Sequence, residues 1–93
     1  TVKNLLSGQE DLLPVDGLFI YVGFAPVTDF LPQGIVLDEQ GFIVTDTEMR
    51  TSIPGIFAAG DIRSKLCRQV ITAAGDGATA AQAAFVFLEQ LNA

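Results

Sequence analysis

The chain has 93 residues, enough for one small domain or for a portion of a larger one. Half of them are apolar and only 17% are charged, which excludes a disordered tail, and the net charge of −6 leaves no electrostatic footprint for nucleic acid or an anionic membrane. With no histidine the commonest general base and metal ligand is missing, and the single cysteine, Cys67, excludes an internal disulfide, a Cys-x-x-Cys pair and a cysteine-based zinc site within these residues.

Such sparse cysteine usage is expected of a reducing cytoplasm. No uninterrupted apolar run reaches the roughly 18 residues of a membrane span, so no transmembrane helix is expected. The start, Thr1-Val2-Lys3-Asn4, has neither signal-peptide character nor an initiator Met, which leads us to expect a chain that begins inside a longer protein.

In chain order, Val2–Leu6 reads as a short strand, Ser7–Glu10 as a turn and Asp11–Pro14 as the returning strand. Asp16-Gly17 opens Leu18-Phe19-Ile20-Tyr21-Val22, the strongest strand signal in the sequence. This run is continuously apolar, which predicts burial on both faces. It stops at Gly23-Phe24-Ala25-Pro26, where proline disfavours further pairing. Residues 27–40 read as a crossing between two units, punctuated by Pro32 and Gly34. Phe42–Asp46 then follows as an edge or hairpin strand. After a loop over Thr51–Gly55 comes a strand at Ile56–Ala59, ended by Gly60-Asp61, and a polar connection over 62–68.

The last segment has two readings. Gly75-Asp76-Gly77-Ala78-Thr79-Ala80 fits G-x-G-x-x-A, the glycine fingerprint of dinucleotide-binding turns. Val70–Ala74 would then be the preceding strand and residues 78–91 the following helix. Against this, Val70, Ala74, Gly77, Ala81, Ala84, Leu88 and Leu91 step by fours and threes without a break in phase, which predicts one helix from about Gln69 to Leu91. Two interior glycines cost such a helix about 1 kcal/mol each. That cost leads us to expect close packing against this face: small residues near its start to admit backbone or a flat ligand, bulky Phe85, Phe87, Leu88 and Leu91 to fill core near its end.

The order strand, Gly60-Asp61, connection, Arg68-Gln69, helix sets a strand's C-terminal end beside a helix N-terminus, where open α/β sheets bind ligands. Free N–H groups at the helix start favour an electron-rich acceptor. Gly60 allows close backbone approach, and Asp61 offers acceptors to sugar-like hydroxyls.

The run Thr51–Asp61, with Arg68-Gln69-Val70 and Ala73-Ala74-Gly75-Asp76-Gly77 after it, closely resembles the C-terminal part of bacterial thioredoxin reductases, flavoproteins with two dinucleotide-binding domains. Gly17–Thr28 resembles the last strand of that family's NADPH domain, although position 27 is Val where the family usually has Asn. The resemblance spans essentially the whole chain. It implies an α/β fold in two parts: residues 1–28 as the last strands of the NAD(P)H-binding domain, and residues 29–93 as the C-terminal strand, hairpin and long helix of the FAD-binding domain.

The resemblance also implies roles. Asp61 would hydrogen-bond the ribityl chain of FAD, with the Gly60-Asp61 backbone near the ribityl and pyrophosphate groups. Arg68, Gln69 and Val70 would contact the isoalloxazine ring, and Val22-Gly23 would border the NADPH site. The family's FAD glycine fingerprint, its NADPH glycine loop and its Cys-x-x-Cys are not in these residues. Cys67 matches neither redox cysteine and reads as a bystander. The implied function is therefore that of a C-terminal portion of an FAD- and NADPH-dependent reductase acting on a thioredoxin-like protein disulfide, cytoplasmic and homodimeric, with no nucleic-acid, membrane or metal partner. A related flavin reductase of the ferredoxin–NADP reductase or peroxiredoxin-reducing kind is the enzymatic alternative. A non-catalytic, self-associating piece is the alternative of another class.

Overall fold

The computed structural model describes residues 1–93. The chain is drawn out to 69 × 27 × 21 Å with a radius of gyration of 19.9 Å, against about 12 Å for a compact domain of this length. It exposes 7491 Å², where a compact protein of 9.9 kDa would expose about 5,200 Å².

The first 23 residues carry a small antiparallel hairpin, β1 (Val2–Lys3) with β2 (Glu10–Asp11), in the register Val2 opposite Asp11 and Lys3 opposite Glu10. Its loop is shaped by Asn4, whose Oδ1 accepts from Leu6 N at 2.9 Å and Ser7 N at 3.1 Å. The expected hairpin forms, though with strands of two residues each.

Leu18–Val22 does not form the expected strand. It is unpaired, with a bend at Val22, and its side chains stand in solvent, Phe19 being 95% exposed. The physical reason is direct: an apolar run meant for the interior of a sheet needs a neighbour on each edge and a layer on each face, and this chain supplies none of them.

Packing begins at Phe24. Ile43, only 3% exposed, is the hub: Val44 N donates to Val36 O at 3.0 Å on one side, while on the other Ile43 N donates to Ile62 O at 2.9 Å and Ser64 N to Ile43 O at 2.8 Å. Phe42–Asp46 is thus one arm of a hairpin with residues 36–38, and it also pairs in parallel with the segment after Gly60. A second hairpin follows, closed by Thr51 N to Ile56 O at 3.1 Å and by Ala58 N to Met49 O at 3.0 Å. Ile56–Ala59, expected as a strand, makes a single antiparallel bridge, Phe57 to Arg50, because it too has a partner on one edge only.

Helix α1 spans Val70–Leu91, so the single-helix expectation holds; the glycine fingerprint lies inside the helix and makes no phosphate-binding turn. At about 33 Å it is the longest element. It is also long and apolar enough to cross a membrane, contrary to the sequence expectation, because its alanines count as apolar even though no run of large side chains does.

The face that α1 packs is not the one the periodicity selected. Ala83 is buried, Ala73 sits against Gly60, and Phe87 meets Phe57 edge-on with ring centroids 6.2 Å apart. Val70, Ala74, Ala81, Leu88 and Leu91 face solvent, and a Cβ added at Gly75 or Gly77 would meet nothing within 4 Å. The anticipated close packing at those glycines is absent here. Nor do Phe85, Leu88 and Leu91 fill a core. Only Phe42, Ile43, Met49, Ala58, Gly60 and Ala83 are buried, too few for an independent core.

Candidate functional site

The candidate site is built on the single 3-10 turn Gly60–Ile62, between the Ile56–Ala59 segment and the start of α1. Gly60 is left-handed at φ +84°, a conformation an L side chain rarely adopts, and its missing Cβ would lie 3.6 Å from the Ala73 methyl. Glycine thus turns the chain sharply while helix and turn stay in contact.

Two clamps hold this turn. From the helix, Oδ2 of Asp76 accepts from Gly60 N at 3.0 Å, from Lys65 Nζ at 2.7 Å, and pairs with Arg63 Nη1 at 2.7 Å. The Asp76 side chain is only 12% exposed. Burial alone would raise its pKa; the Lys65, Arg63 and Gly60 donors outweigh that and bring it down to about 2. From the other side, Arg68 donates through Nε to Asp61 O at 2.9 Å and through Nη2 to Arg63 O at 2.8 Å. Its guanidinium also lies 3.7 Å from the centroid of the Phe42 ring and 5.4 Å from that of Phe24.

The structure therefore brings Gly60, Asp61, Arg68, Gln69 and Val70 into one corner. Asp61 is exposed, and its carboxylate makes no hydrogen bond or ion pair within the chain, although the Gly60 amide and the Gly60, Asp61 and Ile62 carbonyls of the turn are all engaged. Gln69 caps α1: its N–H donates to Thr72 Oγ1 at 3.2 Å and its carbonyl accepts the first intrahelical bond from Ala73 at 3.0 Å. The N–H groups of the first helical turn, from Val70 onward, lack intrahelical acceptors and stand at the exposed helix start. Val22 and Gly23 sit apart from this corner, exposed and just ahead of Phe24.

A cleft of about 310 Å³ opens beside the turn, lined by Phe24, Ala25, Pro26, Val27, Phe42, Asp61 and Ile62. It joins the stretch after Gly23 to Asp61 and Ile62, two regions far apart in sequence, with Phe42 between them. Its volume is at the lower end for a small-molecule site, enough for part of a dinucleotide cofactor. A flexible polyol arm fits the chemistry of this corner: a free carboxylate for hydroxyl groups, an approach without side chain at Gly60, and a helix N-terminus for an electron-rich edge.

Sequence reasoning missed Asp76, Arg63 and Lys65. The signal was present, in an acidic residue at the seventh helical position and two cations shortly before the helix, but nothing in the sequence shows that all three meet at one oxygen. Cys67 is exposed and adjoins the site without taking part in it, apart from its carbonyl, which accepts from Thr72 Oγ1 at 3.1 Å.

A Gly-Asp turn at the end of a short segment, set against the start of a long helix, is the kind of corner at which α/β nucleotide-cofactor proteins bind their ligands. Residues 1–77 match the family described as pyridine nucleotide-disulphide oxidoreductase, and the chain belongs to that family. It is 58% identical over 90 residues to a thioredoxin reductase of Listeria innocua, an alignment covering 96% of this chain and 28% of the relative. Among solved structures, the thioredoxin reductase of Streptococcus pyogenes superposes with a TM-score of 0.79 at 49% identity, covering 95% of this chain and 29% of the other. That of Lactococcus lactis superposes with 0.75 at 52% identity and the same two coverages. The chain thus spans under a third of the length of the proteins it matches.

Proposed function

We propose that the chain is the C-terminal part of an FAD-dependent reductase that uses NADPH to reduce a thioredoxin-like protein disulfide. Residues 1–28 are the end of its NAD(P)H domain and residues 29–93 the closing part of its FAD domain. The observation that carries this reading is the free carboxylate of Asp61, held at the helix start by a turn clamped at the Gly60 amide and the Asp61 carbonyl, in a chain of this family.

In this reading Asp61 accepts hydrogen bonds from the ribityl hydroxyls, and Gly60 lets the backbone approach the adjoining phosphate arm. The bound flavin supplies hydride acceptance from NADPH and electron delivery to a disulfide. Arg68, Gln69 and Val70 place the helix N-terminus against the flavin edge that becomes negative on reduction. Exposed helix ends stabilise such charge by about 0.3–2 kcal/mol, which raises the reduction potential. Val22 and Gly23 border the nicotinamide nucleotide. None of these residues transfers a proton or an electron itself; they bind, orient and tune. A cytoplasmic homodimer is part of the same proposal.

The full-length protein tests it. It is expected to purify with bound FAD and to oxidise NADPH only when a protein disulfide is supplied. A protein without flavin, or one that ignores disulfides, overturns the reading.

One observation favours a second, narrower reading for the 93 residues by themselves. Leu18–Val22 and the outer face of α1 stay bare, with Tyr21 98% and Val70 87% exposed. Apolar surface of this extent drives association. By itself the chain is then expected to self-associate; a single monomeric species across a concentration series in sedimentation would count against this.

A further inference from the structure

The Asp76 carboxylate is the strongest feature of the molecule that the cofactor reading leaves unused. It stands in the second turn of α1, yet its partners are all outside the helix: the Gly60 amide, Lys65 and Arg63. Two of these, Lys65 and Arg63, need only a counter-charge. The Gly60 amide is different, because it is the backbone donor of the residue immediately before Asp61, at the point where the chain turns left-handed.

We propose that Asp76 is a positioning residue for the cofactor: by holding the Gly60 amide it fixes the Ala59–Gly60 peptide from which the left-handed turn departs, and so the direction in which the Asp61 carboxylate is presented. This rests on the proposal that Asp61 binds the flavin's ribityl arm.

The geometry supports a clamp with two jaws. Asp76 grips the turn at Gly60 N, and Arg68 grips it at Asp61 O. Between those bonds the backbone has little freedom left, since Arg63 N also closes the turn on Gly60 O at 3.1 Å. Asp61 itself contributes nothing to holding its own position. A carboxylate with no partner of its own is aimed by the backbone that carries it, and that backbone is anchored on its N-terminal side from the helix, through the Gly60 amide. Because Lys65 and Arg63 both face Asp76, the cluster carries one surplus positive charge and does not repel an anionic ligand.

The test is a double-mutant cycle in the full-length protein, read as the FAD dissociation constant of the apoprotein by quenching of flavin fluorescence. Asp76→Ala is expected to weaken FAD binding about tenfold, as does Asp61→Ala, while Asp76→Ala added to Asp61→Ala costs less than about twofold, the coupling expected of residues that act through one another. Asp76→Asn keeps an oxygen for the Gly60 amide and loses the charge; it is expected to retain most of the affinity, and a tenfold loss in this variant would assign the effect to the ion pairs with Lys65 and Arg63 and overturn the inference, whether or not the alanine variant folds. Independent losses, with Asp76 costing the same in both backgrounds, would reduce Asp76 to a structural ion pair and overturn the inference. So would unaltered FAD affinity in both Asp76 variants. A wild-type protein that binds no FAD would instead remove the cofactor reading itself.

Discussion

The guanidinium of Arg68 lies 3.7 Å from the centroid of the Phe42 ring while its Nε and Nη2 are spent on the carbonyls of Asp61 and Arg63. One side chain thus joins the start of α1 to the buried Phe42 arm of the hairpin over residues 36–46 and to the turn between them. Only a planar, forked cation serves both purposes. Arg68→Lys keeps the charge, loses the fork, and is expected to destabilise the protein by about 1 kcal/mol. A lower urea midpoint with an unchanged m-value checks this; an unmoved midpoint contradicts it.

Gly60 and Gly55 separate backbone strain from steric contact. Both are left-handed, at φ +84° and +86°, but a Cβ at Gly60 would meet the Ala73 methyl at an ordinary 3.6 Å, whereas at Gly55 it would meet the Phe87 ring at 3.2 Å. Gly60→Ala is expected to cost about 1–2 kcal/mol, the backbone term alone. Gly55→Ala should cost more, because the Phe57–Phe87 ring contact must also give. Equal losses in thermal denaturation would refute the distinction.

Asp38 and Asp46 head two loops of one form, eight residues apart. In each, Oδ1 accepts from the backbone two and four residues ahead: Gln40 and Phe42, then Glu48 and Arg50, all at 2.9 Å. The fourth position of each loop is left-handed, filled by Gly41 at φ +90° in the first and by Met49 at φ +65° in the second. Methionine there is strained by about 1–2 kcal/mol, but its side chain is buried. Met49→Gly removes the strain together with the buried side chain, whose loss costs about 2–5 kcal/mol. The net expectation is destabilisation by about 1–3 kcal/mol, and a gain in stability would show that the strain dominates.

The Asp76 cluster predicts a pH dependence. Its pKa is lowered to about 2 from an ordinary 3.8, so the stabilisation is complete above pH 4 and is lost as pH falls from there towards 2. It is on the order of 2 kcal/mol. Asp46, held down by the Arg50 and Glu48 amides and the Arg50 charge, and Asp38, by the Ser64 hydroxyl and the Phe42 amide, lose their contributions over the same side of pH 4. An acid titration of Asp76→Asn should be flatter than that of the wild type below pH 4, and superimposable curves would contradict the assignment.

How far the sequence was legible follows from where each element finds its partners. The hairpin at the start, the long helix and the Gly60-Asp61 turn are local and were readable. Leu18–Val22 carries a strand pattern for which this chain supplies no pairing neighbour and Ile56–Ala59 one for which it supplies a neighbour on a single edge, so the pattern is real and the ladder absent or cut to one bridge. The helix was misread for a related reason. Its regular stripe of Val70, Ala74, Ala81, Leu88 and Leu91 is apolar, yet within these residues the packing falls to Ala73, Ala83 and Phe87. Periodicity finds an apolar face but cannot say which of two is covered. The corner itself was legible through Gly60, Asp61, Arg68 and Gln69; the Asp76 clamp was not, because it depends on three residues meeting in space.

The flavin content of the full-length protein carrying Asp61→Ala tests the central claim most directly. Loss of most bound FAD on purification, with the fold and the wild-type flavin stoichiometry otherwise established, is the predicted result. An Asp61→Ala protein that keeps its full complement of flavin at unchanged affinity would contradict the claim that this corner holds the cofactor.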